Sequence, residues 1–152
     1  ENAFNYRSGS YYIYDLEEVV FEDTAENPSQ LKTIGANAFT GNSITNIILP
    51  SSLATIGDSA FSSNQITEIN IPSSVTVLNG FNGNNITNLT IPSTVETIGS
   101  DAFADNPIIK LTFEDTVSNP SKLKTLGFNA FGYNEELRGV IVIPKSVTTM
   151  EA

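Results

Sequence analysis

The chain contains no cysteine and no histidine. Without cysteine there is no disulfide, no thiolate metal site and no cysteine nucleophile, although the compartment stays open. Without histidine it lacks the commonest transition-metal ligand and the usual general base at neutral pH. Cations are scarce: 7 Lys and Arg stand against 17 Asp and Glu, a net charge of −10. That balance argues against nucleic acid, whose phosphates need clustered cations, and against an anionic membrane surface. No run of about 18 apolar residues is present to span a bilayer. There is no signal peptide either. The chain opens on Glu1-Asn2-Ala3-Phe4, the middle of a repeat, so any export signal is expected upstream.

What is present is a repeat, and repeats are sought first because missing them misreads the fold. Six of the seven prolines fall in one frame: Pro28, Pro50, Pro72, Pro92, Pro120 and Pro144. Three residues after each comes Leu or Val (Leu31, Leu53, Val75, Val95, Leu123, Val147), and three further on another apolar residue (Ile34, Ile56, Leu78, Ile98, Leu126, Met150). Phenylalanine follows at Phe39, Phe61, Phe103 and Phe131, eleven residues past the proline, while Phe81 arrives two residues early. Three residues past each phenylalanine stands an asparagine: Asn42, Asn64, Asn84, Asn106 and Asn134.

After the asparagine comes an apolar alternation, as in Ile66-Thr67-Glu68-Ile69-Asn70-Ile71, whose period of two predicts a strand stopped by the next proline. The unit reads as strand, proline turn, short apolar bend, Ala-Phe knob and asparagine turn. No long helical period occurs, so at most one helical turn is expected around Asp58–Phe61 and its equivalents. One coil cannot bury its apolar face alone, so coils must stack with their strands in parallel. The inward set of one coil is expected to be Ile66, Ile69, Ile71, Val75, Leu78 and Phe81. The five phenylalanines should stack in a column, and the asparagines should bind backbone of the turn and the next coil. Two near-copies, Phe21–Pro28 and Phe113–Pro120, each insert six residues between strand and proline.

On the stretch Leu49-Pro50-Ser51-Ser52-Leu53-Ala54-Thr55-Ile56-Gly57-Asp58-Ser59-Ala60-Phe61, the chain resembles the BspA-like leucine-rich repeats of bacterial and protist surface proteins. The resemblance covers nearly everything from Leu16 onward. Many members carry cysteine where this chain has Asn42, Asn64 and Asn106. With the repeat it implies an α/β-type leucine-rich-repeat solenoid, predominantly β, right-handed, with parallel strands and about six coils of roughly 22 residues. Residues 1–152 are expected to form one such domain, a piece of a longer array. The family's adhesins and host- or matrix-binding proteins imply a non-enzymatic surface or secreted role, with a host or matrix protein or a glycan as partner. No cofactor is implied.

On such a scaffold the ligand is expected on strand side chains that point outward. One outward row is Glu18, Asn46, Glu68, Asn88 and Lys110, continuing to Val140; the second is Val20, Ile48, Asn70, Thr90 and Thr112, continuing to Val142. These vary from coil to coil. Val20 and Ile48 would form a small apolar patch, open to a partner or covered by the tyrosine-rich insertion Tyr6–Tyr14. The paired acids Glu17-Glu18, Glu22-Asp23, Glu114-Asp115 and Glu135-Glu136 split between strand faces. A flat sheet offers no cleft for two opposed carboxylates, so a carbohydrate-active β-solenoid enzyme is disfavoured. The Glu-Asp-Thr insertions lack the dense Asp spacing of calcium loops, and no metal site is assigned. Two sequons, Asn85-Ile86-Thr87 and Asn88-Leu89-Thr90, lie on a strand and read as incidental. An ice-binding threonine row (Thr45, Thr67, Thr87) is broken by Ile109. The alternative to adhesion is a stalk that displays another domain.

Overall fold

A computed structural model describes residues 6–8, 11–13 and 16–151. Among these there is no helix, and the strands are β1 (Tyr6–Ser8), β2 (Tyr11–Ile13), β3 (Glu18–Val20), β4 (Thr33–Ile34), β5 (Asn46–Ile48), β6 (Thr55–Ile56), β7 (Val77–Leu78), β8 (Asn88–Ile91), β9 (Thr97–Ile98), β10 (Lys110–Phe113), β11 (Thr125–Leu126) and β12 (Thr149–Met150). β1 and β2 pair antiparallel, within the tyrosine-rich insertion. The tyrosine side chains there, like the Ala3-Phe4 knob, lie outside the described residues. Every other pairing is parallel and joins one coil to the next.

The continuous sheet is not where the sequence places it. Its six strands run β4-β6-β7-β9-β11-β12, and they come from the two-residue step, Thr or Val then Ile, Leu or Met, after each proline of the repeat frame, which the sequence reads as a bend. In register, Thr33, Thr55, Val77, Thr97, Thr125 and Thr149 form one row. The β-branched residue suits a half-exposed strand position, and the next residue (Ile34, Ile56, Leu78, Ile98, Leu126) turns into the core.

The pre-proline segments form only two pairs, β3 with β5 and β8 with β10. The expected strand at Ile66–Ile71 is not paired, and Ile69 is only half-buried. Carboxylates of the two insertions account for the difference. Asp23 accepts the Ser29 amide at 2.9 Å and, in the next coil, the Ser51 amide at 2.6 Å. Glu114 accepts the Ser93 amide of the preceding coil at 3.2 Å. Each carboxylate draws its coil's strand against a neighbour. The 66–71 segment is tied only at its start, through Gln65 to Ile44 and Asn85 to Ile66, both at 2.9 Å, and through the Ile66 amide to Asn84 at 3.1 Å. The Asp23 carboxyl is held below its ordinary value of 3.8, first by the Ser51 amide and then by that of Ser29.

Val140–Ile143 also departs from expectation: it is not a strand, and all four residues are exposed, including Ile141 and Ile143 on the intended inward side. Asparagine and proline are two residues further apart here (134 to 144, against 64 to 72), and Gly139 turns at φ 90° just before the run. The alternation therefore loses register with β10.

The core is a column. Phe39, Phe61, Phe81, Phe103 and Phe131 stack with centroids 5.0, 5.2, 5.5 and 5.8 Å apart and nearly parallel rings. Each contact adds about 0.5–1.5 kcal/mol beyond burial. Phe21 and Phe113, at the start of the two insertions, meet the end rings Phe39 and Phe131 edge-on, each at 6.2 Å. Phe81 keeps its place although its coil is two residues short. Gly80, at φ 85°, lies so close to the preceding coil that a Cβ would stand 2.5 Å from the Ala60 nitrogen and the Gly57 oxygen. Only glycine permits that approach.

Beside the rings runs a ladder of buried asparagines. Asn64, Asn84, Asn106 and Asn134 each donate to the phenylalanine carbonyls of their own and the preceding coil. Their side-chain oxygens accept the amides of Ile44, Ile66, Ile86 and Ile108. With no helix among the described residues, these side chains satisfy buried backbone groups of the turns.

Candidate binding faces

The outward rows of the pre-proline segments are exposed throughout, from Glu18 and Val20 to Lys110 and Thr112. The structure brings four pairs side by side: Glu18 with Asn46, Val20 with Ile48, Asn88 with Lys110, and Thr90 with Thr112. The Asn46 amide reaches the Glu18 carboxylate at 3.5 Å. Glu68 and Asn70 are exposed but share no ladder with either side, so the rows are two short platforms separated by an unpaired coil. Val20 and Ile48 are 70% and 65% exposed, an apolar pair in direct register. Glu18 and Val20 also border an apolar hollow lined by Phe21, Leu31, Ile34 and Phe39.

The insertions are structural on the geometry of their side chains. Thr24 and Thr116 each close a turn by accepting the amide of Asn27 or Asn119 at 3.0 Å, and Asp115 accepts Ser121 at 2.9 Å as Asp23 accepts Ser29. No three acidic side chains gather as a metal site among the described residues.

The turn face carries a concavity that the sequence reading missed. Around Asp58–Phe61 and its equivalents, where at most one helical turn is expected, each knob is a pair of tight turns with left-handed residues. Asn37, Ser59, Asp101 and Asn129 precede the Ala-Phe step, and Gly41, Ser63, Gly83, Asp105 and Tyr133 follow it. A positive φ in the middle of the turn forbids helix and favours Gly, Asn and Asp. Stacking these turns forms an open polar groove whose floor and walls include Asp58, Asn79, Asn82, Asn85 and Asp101, with Asp105, Asn129, Tyr133, Glu135 and Glu136 at its far end. Asn79 donates to the Asp58 carboxylate, and Asn129 to that of Asp101 at 2.7 Å. Tyr133 is 75% exposed, and no Lys or Arg lines the groove, although Arg138 reaches Glu136 at 3.8 Å. The flat-sheet expectation therefore applies to the strand face and not to this one. The signal in the sequence was the repeated Asp, Asn and Gly flanking Ala-Phe.

No helix among the described residues is long and apolar enough to cross a membrane. No curated protein matches the chain. The model of the BspA type leucine rich repeat region matches six copies across residues 8–119. The last coils repeat the same frame through Phe131, Asn134 and Pro144, so stacked phenylalanines, asparagine ladder and proline frame run on past the matched residues. The chain belongs to the BspA type leucine-rich-repeat family and folds as a predominantly β solenoid of that kind.

Proposed function

We propose that this chain is a non-catalytic binding module of a cell-surface or secreted protein, one that engages a host or matrix protein or a glycan through its outward strand rows. The observation that carries the reading is the contrast between two columns. The inward column repeats Phe, Asn and Ile, whereas the outward rows change from coil to coil on the same rigid frame. The exposed Val20–Ile48 pair supplies an apolar anchor rimmed by Glu18 and Asn46, the pattern of an interface centre with a polar surround. Leucine-rich repeats are generally non-enzymatic protein-interaction scaffolds, which supports binding over catalysis. A second reading, a stalk that displays another domain, draws on the unbroken six-strand sheet and the stack of rings, which make a stiff rod.

The deciding experiment is binding of the purified chain to arrayed matrix proteins, serum proteins and glycans, beside a Glu18/Glu68/Lys110→Ala variant. Saturable binding lost in the folded variant supports the strand-face module. Binding that survives moves the site to another face. Silence across the array favours the stalk.

A further inference from the structure

We infer that the groove on the turn face is a second binding site, one that takes a neutral, extended oligosaccharide. The groove lies on a different part of each coil from the strand rows and shares none of their residues. Its chemistry is that of hydroxyl recognition. In the pairs Asn79–Asp58 and Asn129–Asp101 the amide already donates to the carboxylate, which fixes both groups across neighbouring coils. The Asn129–Asp101 pair leaves a carboxylate oxygen, an amide oxygen and an amide hydrogen, so acceptors and a donor sit side by side. In the other pair Asn79 is buried and its oxygen takes the Gly80 amide, which leaves the exposed Asp58 carboxylate as the acceptor. A vicinal diol offers the matching set, each hydroxyl giving one hydrogen and taking another.

The exposed carboxylates of Asp58 and Asp101 recur two coils apart, about 10 Å at the ~4.8 Å strand spacing, comparable with two sugar units of an extended β-linked chain. Tyr133 supplies the remaining element. The other described turns place Gly41, Ser63, Gly83 and Asp105 at that point, and Tyr133 puts an aromatic ring there, largely exposed at the end of the groove. A phenol ring offers a flat apolar face to the C–H side of a sugar and a hydroxyl to its rim. Carboxylates without a lining cation disfavour sulfated or uronic chains, whose charge would be repelled. Few lining residues are apolar, which leaves little to anchor the side chains of a hydrophobic peptide.

The test is calorimetric titration of the chain with tetrasaccharides of β-linked glucose and of N-acetylglucosamine, repeated with Tyr133→Gly and Asp105→Gly. Glycine already occupies this turn position at Gly41 and Gly83, so both variants keep a conformation the fold uses. The expected result is binding of at least one tetrasaccharide, weakened about tenfold or more by Tyr133→Gly, the loss of one stacking contact. Binding should be unchanged in the Glu18/Glu68/Lys110→Ala variant, so this site stands or falls separately from the strand-face reading. Two results would overturn the proposal: no tetrasaccharide bound at millimolar concentration, or binding indifferent to Tyr133→Gly. A lysine-rich decapeptide that binds in place of the sugars, and is lost with Tyr133→Gly, would also overturn it and make the groove a site for cationic polypeptide.

Discussion

The side-chain amide of Asn64 donates to the carbonyl of Phe39, one coil back, at 2.9 Å. The same amide holds the Phe61 carbonyl of its own coil at 2.9 Å, and its oxygen takes the Ile44 amide at 3.0 Å. One side chain thus ties the ring column to the strand face and one coil to the next. All of these groups are buried.

Replacing Asn64 by Ala should strand the buried Ile44 amide, while the Phe39 and Phe61 carbonyls each lose one of two asparagine donors and keep Asn42 and Asn84. An unsatisfied buried group costs about 1–3 kcal/mol, so a loss of about 2 kcal/mol is expected. Asn64→Asp should be at least as damaging, because an acceptor-only carboxylate would face the two carbonyls. Urea unfolding of both variants checks this; a loss under about 1 kcal/mol would remove the ladder from the list of stabilising features.

Phe81 offers a second measure of stacking. It is fully buried between Phe61 and Phe103, and truncation to Ala leaves a cavity between rings that cannot close up. About 3–5 kcal/mol should be lost. Gly80→Ala should cost several kcal/mol by a different route, because its methyl would meet backbone of the preceding coil and the residue needs a positive φ. Thermal unfolding ranks the two. A mild Gly80→Ala would mean that the short coil is able to shift outward.

Much of this architecture was legible from spacing alone. The phenylalanine and asparagine columns follow from residues that recur once per coil at a fixed distance from proline, and burial acts on each coil alike. The six-stranded sheet was not legible. Its strands are two residues long, and Thr55-Ile56 before Gly57 carries too little alternation to be told from a bend. The gap at Ile66–Ile71 was hidden for another reason. Its sequence alternates as well as that of Asn88–Ile91, and the difference lies in Asp23 and Glu114, which tie other coils. The groove depends on left-handed turns at Asp101 and Asn129, whose side chains meet only once the coils are stacked. The outward rows are exposed, at Glu68 and Asn70 even without pairing, whereas at Val140–Ile143 the unpaired alternation leaves both of its sides exposed.

Asp23 makes stability depend on acid in a predictable direction. Its carboxyl is depressed in the folded state by the Ser51 and Ser29 amides, so its contribution is fully present above the ordinary value of 3.8. It is lost as pH falls through the lowered folded-state value, when the protonated group no longer holds both amides. The melting temperature of the wild type should exceed that of Asp23→Ala by a constant margin at neutral pH. The margin should shrink at the acid end. A margin that stays constant down to the lowest pH at which the chain remains folded would mean the carboxylate's charge plays no part in these bonds.

Tyr133→Gly should leave the fold at least as stable as before. At φ 55° an L-residue with a bulky side chain is strained by about 1–2 kcal/mol, and glycine removes that strain. Against this, glycine gives the unfolded chain more freedom, a cost of roughly 0.5–1 kcal/mol. Tyr133 is largely exposed, so its ring contributes little burial to set beside these two effects. The balance is between no change and a gain of about 1 kcal/mol, measurable by urea unfolding. A clear loss, above about 1 kcal/mol, would show that the ring packs on the turn of its own coil. Stability kept or raised would instead leave the tyrosine without a structural reason to occupy a position that glycine fills elsewhere, and would strengthen the case that the groove needs it for a ligand.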